Sequence, residues 1–556
     1  MKLKRLLATV LAGVMTVGLL AGCGGNPEGS AGQTATQAAN NGNVADSGSQ
    51  NGGEDTKSAD TKSEETKAPD TAASGEMTEI TVILRTLGTV EESASEAVEA
   101  AVNEITQREI NVSVDLMWID SAKYATQVPM MITGNEKVDL MMYTPNASTT
   151  YNTLMAQNQL MDITDALSEY GPEIKATLGD DLLKATSKEG RVYGVGNYGP
   201  LTFKELLMIR RDLADAAGVT EKIENATTWT EINEALKAIV QQSGQGLVNA
   251  DVNGSVLMAN PALSAGEKFS DGYVYDNLGD SSNMFMANKK TGKVECMYFD
   301  EDVKSVLRRT YDWYQDGLVY KDAALSQDFG TTLLKNGVGC GLITTTEVGG
   351  EQTSVASSGY DMIVLNPVDE SASMITTGNL TKFGFCVPVT ALEPEAAIKF
   401  LNLLYTKESG LGDLLSWGIE GRDYVVNAEG MAEYPEGVTA ENVQYHIADF
   451  LYGNRLNVTP WAGNDPDIRK IQQAANDAAE VSPYLGFNVS NVGLEATLTA
   501  CSNVFEKYKT TILSGSSSQD FDTYYQEFLD DLTAAGVDDL VKAYQDQLDA
   551  WLAANK

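Results

Sequence analysis

Apolar and polar positions follow three regimes along the chain. Residues 6–20, LLATVLAGVMTVGLL, are almost continuously apolar or small. From 24 to 77 hardly any large apolar residue occurs, and DTKSADTKSEETK (55–67) repeats with a period of five. The periodicity of a folded body starts at Thr78. TEITVILR (78–85) alternates as a strand does. The next stretch, SASEAVEAAVNEITQRE, places Ala97, Val98, Ala101, Val102 and Ile105 on one helical face. A second strand (INVSVDLMWI), a helix over about 123–132 and a third strand (VDLMMY, 138–143) follow. Strands alternating with helices predict a parallel α/β sheet, with ligands at the carboxyl ends of its strands.

Further along, GRVYGVGNYGP (190–200) reads as a turn-rich strand pair, and KELLMIRRDLADAAG as a strand running into a helix. TTWTEINEALKAIVQQ (227–242) is an amphipathic helix with a capping box, Thr228 before Glu231. The region up to about 293 is polar and reads as loops and hairpins. DEDVKSVLRRTYDWYQDGLV (300–319) and EPEAAIKFLNLLYTKE are helices, while VGCGLI, YDMIVL and KFGFCVPV are strands. The last 75 residues or so are mostly helical. The pattern gives two α/β blocks with more than one crossing between them.

Charge and composition narrow the function. The 556 residues carry a formal charge of −39, with 78 acidic residues and one histidine, which argues against a nucleic-acid partner. Lys2, Lys4 and Arg5 before the apolar run, and Ala21-Gly22 after it, make residues 1–22 a signal peptide. Leu20-Ala21-Gly22-Cys23 resembles a bacterial lipobox, in which Cys23 is acylated. The plainer reading is a secretory signal with an incidental cysteine. Residues 24–77 cannot bury enough surface to order themselves and predict a tether of ~40 Å r.m.s. length. Cys296, Cys340, Cys386 and Cys501 form no CxxC and fit neither a zinc site nor a compact disulfide framework; buried free thiols are expected.

Several chemistries lack their residues. Gly194, Gly196 and Gly199 spell GxGxxG, but Pro200 follows where a nucleotide motif needs a helix. Asp251, Asn253 and Ser255 imitate a calcium loop, yet glycine stands at its fourth place and Ala262 replaces its glutamate. His446, the single histidine, excludes His-rich metal sites and reads as a satisfied structural residue. No GxSxG or Walker loop occurs, and neither cofactor nor metal is expected.

NVSVDLMWID, MMITGNEKVDLMMY, EGRVYGV and LLMIRRDLADAAGV followed by TTWTEINEALKAI occur in an order that resembles the family 1 extracellular solute-binding proteins. EPEAAIKFLNLLYTKESGLGDLLSWGIEGRDYVV resembles a subgroup with a Gly-Ile-Glu-Gly box, and YQEFLDDLTAAGVDDLVKAYQDQLDAWLA its closing helices. The resemblance implies a two-lobed periplasmic-binding-protein-like fold of class II type, with hinge strands and a helical C-terminal extension. Within it, 78–205 begins the N-lobe, 206–375 forms most of the C-lobe, and 376–556 returns to the N-lobe and adds the C-terminal helices. It also implies a monomeric, non-enzymatic lipoprotein on the outer face of the cell membrane, bringing a carbohydrate to ABC permease subunits. Alternatives are a lipid-anchored glycosidase, since two carboxylates suffice for that chemistry, a peptide or amino-acid receptor, and a receptor feeding a sensor.

A sugar needs aromatic platforms beside groups that donate and accept hydrogen bonds. Trp118 and Tyr143 at strand ends, Tyr198 after GVGN, Trp417 before a glycine and Trp461 in VTPWAGND are the candidate platforms. Asp120 and Asn146 are candidate hydroxyl partners. Glu420 and Arg422 either pair to hold their loop or meet the ligand. Each aromatic has core packing as its alternative. Trp229, Trp313 and Trp551 lie on amphipathic helices and are assigned to the core.

Overall fold

The computed structural model describes residues 77–555, apart from 147, 251–265, 272–274, 281–283, 289, 327 and 368–373. The signal segment, Cys23, the tether and the calcium-loop imitation lie outside the described residues. Strand β1 (Thr78–Thr86) buries Ile80, Val82, Ile83 and Leu84. Helix α1 (Glu92–Ile110) buries Ala94, Val98, Val102 and Thr106, one residue per turn. It stops at Asn111, whose φ of 55° lies in the left-handed region that asparagine tolerates. Strand β2 (Val112–Asp120) runs parallel to β1, with Thr78 opposite Val112 and Thr86 opposite Asp120. Helix α2 (Ser121–Thr133) starts at once, capped by Asp120, which accepts from Ala122 N at 2.9 Å. Strand β3 (Leu140–Tyr143) is parallel to β1 on its other side, and β4 (Val195–Gly196) closes the first block.

The chain then crosses to a second lobe through residues 197–202. Leu201 N donates to Asn476 Oδ1 at 2.8 Å, and Asn476 Nδ2 donates to Gly199 O at 2.8 Å. Strand β5 (Phe203–Arg210) is the centre of a three-stranded sheet and is buried on both faces. Leu207 and Ile209 meet helix α3 (Arg211–Ala217) and helix α4 (Trp229–Ser243), which carries the expected Thr228–Glu231 capping box. Leu206 and Met208 meet Leu334, Leu342 and Val248 on the other face. This two-sided burial explains why the strand reads as a continuous apolar run. The hairpin β6 (Phe285–Ala287) and β7 (Val294–Cys296) precedes helix α5 (Glu301–Gln315). Strands β8 (Gly341–Glu347) and β9 (Met362–Leu365) flank β5, both antiparallel to it.

Strand β10 (Gly384–Cys386) returns to the first lobe between β3 and β4, giving the order β2-β1-β3-β10-β4. It is antiparallel to both neighbours. In the two larger sheets, parallel pairing is therefore confined to β1–β3. Local strand–helix–strand units give parallel pairs, whereas a strand coming back from the other lobe enters from the opposite end. Helix α6 (Pro394–Tyr405) and helix α7 (Leu411–Trp417) cover this lobe, and β11 (Tyr445–Ile447) pairs with Gly88–Val90. Helix α8 (Ile468–Ala478) lies against the first crossing. Helices α9 (Glu495–Ser514), α10 (Phe521–Ala534) and α11 (Val537–Ala554) form a core with β6, β7 and α5. They make the fold two-lobed with a helical C-terminal extension. Trp229 and Trp313 are buried as expected, and Trp551 packs on the helical core.

Cys296, Cys340, Cys386 and Cys501 are free and buried, as the spacing predicts. Burial pushes the Cys296 and Cys340 thiols up to about 12. Native protein at pH 8 is therefore expected to resist alkylation at all four, and to react at all four once unfolded in guanidinium. Rapid native labelling counted by mass spectrometry contradicts this packing.

Candidate ligand-binding site

The carboxyl end of β1 carries Arg85. Its carbonyl accepts from Tyr452 Oη at 2.7 Å, and its guanidinium lies over the Phe383 ring, 5.4 Å from the centroid. Phe383 in turn meets Phe450 at 5.5 Å, and both rings are half-buried. Asn197, at the start of the first crossing, holds these rings from behind. Its N–H donates to Phe383 O at 3.0 Å, and its side-chain amide donates to Phe450 O at 3.2 Å and Leu451 O at 2.6 Å. Burial lowers the Arg85 pKa. On the neighbouring strand Trp118 is half-buried and meets Tyr445 edge-on at 6.3 Å. Asp120 is exposed and Asn146 half-buried.

A second group gathers around His446, on the return segment. Trp417, Tyr434 and Trp461 surround its ring at 5.0, 5.5 and 4.6 Å. Trp461 also meets Trp417 at 4.9 Å and Tyr434 at 4.8 Å. Trp417 is only 3% exposed and donates through Nε1 to Thr459 O at 3.0 Å, so it supports Trp461 from beneath. Trp461 itself is half-buried. His446 is not the satisfied residue expected: its Nδ1 is buried and has no hydrogen-bond partner among the described residues. Burial lowers its pKa, so the imidazole in this ring cluster is neutral at pH 7.

The Gly-Ile-Glu-Gly box explains how Trp417 is aimed. Gly418 has φ 89°, and a Cβ there would lie 2.3 Å from Asp423 Oδ2. That carboxylate accepts from Ile419 N at 2.8 Å and is gripped by the Arg422 guanidinium at 2.5–3.0 Å. The expected pairing of Arg422 with Glu420 is replaced by Arg422 with Asp423. Arg422 is thereby spent inside the loop, while Glu420 is exposed. Two further aromatics are structural in their placement. Tyr143 is wholly buried and its hydroxyl donates to Leu380 O at 2.7 Å; burial pushes its pKa well above the usual tyrosine range. Tyr198 is buried in the crossing and accepts from Gln473 Nε2 at 3.0 Å. Arg85, Phe383, Phe450 and Tyr434 escaped the sequence reading. A basic residue ending an apolar strand in so acidic a chain was the one available signal for Arg85.

Residues 88–410 match the bacterial extracellular solute-binding protein family. The chain belongs to that family. Residues 483–553, holding the three C-terminal helices, match a domain of unknown function (DUF3502). Among solved structures, the N-glycan transport solute binding protein of Streptococcus pneumoniae is 17% identical, with TM-score 0.70 over 86% of this chain and 100% of its own. An HMO-binding, ABC-transporter-associated solute binding protein of Bifidobacterium longum infantis is 17% identical, with TM-score 0.60 over 86% and 99%. The substrate binding protein FusA of S. pneumoniae, solved with kestose, is 14% identical, with TM-score 0.56 over 86% and 100%. These likenesses show the shared two-lobed fold. No curated protein matches the chain by sequence.

In this solute-binding protein the lobes are also tied by charge. Arg455, on the return segment, meets Glu347 at the end of β8 at 2.5 Å and Asp449 at 2.8 Å. Arg469 on α8 reaches the other oxygen of Asp449 at 2.6 Å. Burial opposes ionisation of Asp449, but Arg455 and Arg469 outweigh it and hold the carboxyl below its usual range. Its contribution to stability is present above the unfolded carboxylate pKa of about 4 and is lost as pH falls below that. Asp449→Asn is expected to cost about 3 kcal/mol at pH 7, because it leaves buried guanidinium groups short of a partner. Urea melts should show this gap closing below about pH 4. A gap that stays constant or widens on acidification contradicts the ion cluster.

Proposed function

We propose that the chain is the substrate-binding lipoprotein of an ABC importer, taking a sugar or oligosaccharide between its lobes and handing it to permease subunits in the membrane. The observation that carries this reading is the set of half-buried, rather than fully buried, rings (Trp118, Phe383, Phe450 and Trp461) on a solute-binding fold. Such rings offer flat apolar surface at low entropic cost, which suits the C–H face of a pyranose. Asp120 and Asn146 stand at the ends of β2 and β3, where they would meet hydroxyls. Trp417 and Arg422 position their neighbours, Tyr143 and Tyr198 hold the frame, and Glu420 is exposed. Structural relatives support the substrate class: the S. pneumoniae protein has been solved with Man1GlcNAc and with Man5GlcNAc.

The proposed mechanism is a population shift. Solute touching both lobes favours the closed arrangement by its differential affinity, and the closed form engages the permease. No described helix is long and apolar enough to cross a membrane. Attachment is assigned to acylated Cys23 on the outer face, with the 24–77 segment as tether; multiple acyl chains give the stable anchorage that one chain does not. The protein acts as a monomer and performs no catalysis.

Calorimetry against a panel of oligosaccharides tests the substrate class. At least one should bind, and Trp461→Ala should weaken it about tenfold, ~1.4 kcal/mol, without lowering the melting temperature of the fold by more than a few degrees. Failure of every saccharide, together with tight binding of a peptide or amino acid, overturns it. Appearance of hydrolysis products on long incubation favours the glycosidase alternative. Separately, mass spectrometry of the protein from cells should find an acylated Cys23 at the mature N-terminus, and Cys23→Ser should shed the protein into the medium. An unacylated mature chain contradicts the anchor.

A further inference from the structure

Arg85 stands apart from the other described arginines. Arg108, Arg191, Arg210, Arg211, Arg308, Arg422, Arg455 and Arg469 each hold a carboxylate, and Arg309 donates to Gly266 O. The Arg85 guanidinium forms no hydrogen bond and no ion pair among the described residues, and its Nε is buried without a partner. That is conspicuous in a chain with 78 acidic residues. A guanidinium half-withdrawn from water should be paired or should be waiting for a ligand. Asp120 is near enough to favour its charge, but that carboxylate is exposed and turned to the first turn of α2.

Its setting fits recognition. Arg85 ends β1, which lies between β2 and β3, so it stands at the strand ends where this fold class places ligands. Phe383 covers one face of the guanidinium and leaves the in-plane N–H groups unused. Those groups form a fork matched to a carboxylate, which they bind more strongly than a hydroxyl. The overall negative charge does not forbid an anionic ligand, because exposed charges beyond ~8 Å are largely screened at physiological salt.

We propose that Arg85 receives a carboxylate carried on the solute, and that the saccharide this protein takes up is acidic, of the uronate type. The proposal rests on the saccharide reading above and sharpens it. Its test is calorimetry with paired probes: uronate-containing oligosaccharides and the same oligosaccharides with their carboxyls reduced to alcohols. The wild type, Arg85→Lys and Arg85→Gln are compared, with melting curves showing that each is folded. An acidic probe should bind the wild type at least tenfold more tightly than its reduced counterpart. Arg85→Gln should abolish that preference while keeping the reduced probe's affinity within about threefold, and Arg85→Lys should retain part of it. Equal binding of both members to the wild type, or binding of neutral saccharides only, overturns the acidic-ligand assignment and leaves the saccharide reading standing. Equal loss of both members in Arg85→Gln overturns it as well, since it shows a general packing role. Binding of no saccharide of either kind overturns both.

Discussion

The constraint on which the two-lobed arrangement depends is the grip of α8 on the first crossing. Asn476 uses both ends of its side-chain amide there, accepting from Leu201 N and donating to Gly199 O. Gln473, one turn earlier, reaches the Tyr198 hydroxyl, and Asn379 donates to Leu201 O at 3.3 Å. A connecting segment between lobes would otherwise expose its backbone groups to competing water. Here they are satisfied by residues that follow some 180 to 280 positions later. The crossing is therefore fixed, and the strand that enters it and the strand that leaves it inherit that fixity. Phe383 and Phe450 are held from the same knot by Asn197.

The ion cluster of Arg455, Asp449, Arg469 and Glu347 adds a second tie beside the first. It draws one carboxylate from the end of the second lobe's sheet and one from the first lobe's return segment. A buried cluster of this kind contributes less to net stability than its contacts suggest, since each charge also loses its hydration. What it supplies is a defined geometry: guanidinium planes and carboxylates fit together in few relative positions of the two lobes.

Much of the fold was legible because local signals agreed with it. Val98 and Val102 of the α1 stripe, the Thr228–Glu231 capping box and the buried run of β5 all appear where the sequence put them, although the α1 face turns toward Ala94 and Thr106. What was not legible is set by contacts distant in sequence. The antiparallel entry of β10 beside β3 depends on the chain having visited the other lobe, which no local pattern records. The same limit governed the site. Trp118, Asp120 and Asn146, read from strand ends, and Trp461, read from its turn-rich loop, are not fully buried and so keep the role proposed for them. Tyr143 has the same sequence credentials as Trp118, yet its ring points into the core and its hydroxyl is spent on Leu380 O. Strand-end position names a residue, but which face it takes is settled by register. Arg422 illustrates the complementary failure: an adjacent aspartate, not the glutamate of the motif, captured its charge.

The proposed account is of a receptor whose two lobes, joined through a fixed crossing, close on a carbohydrate held against half-buried rings. Small-angle scattering of the purified protein, with and without a saturating saccharide already shown to bind, tests it most directly. The account predicts a smaller radius of gyration and a shorter maximum dimension in the bound state. Unchanged dimensions at saturation would contradict closure between the lobes.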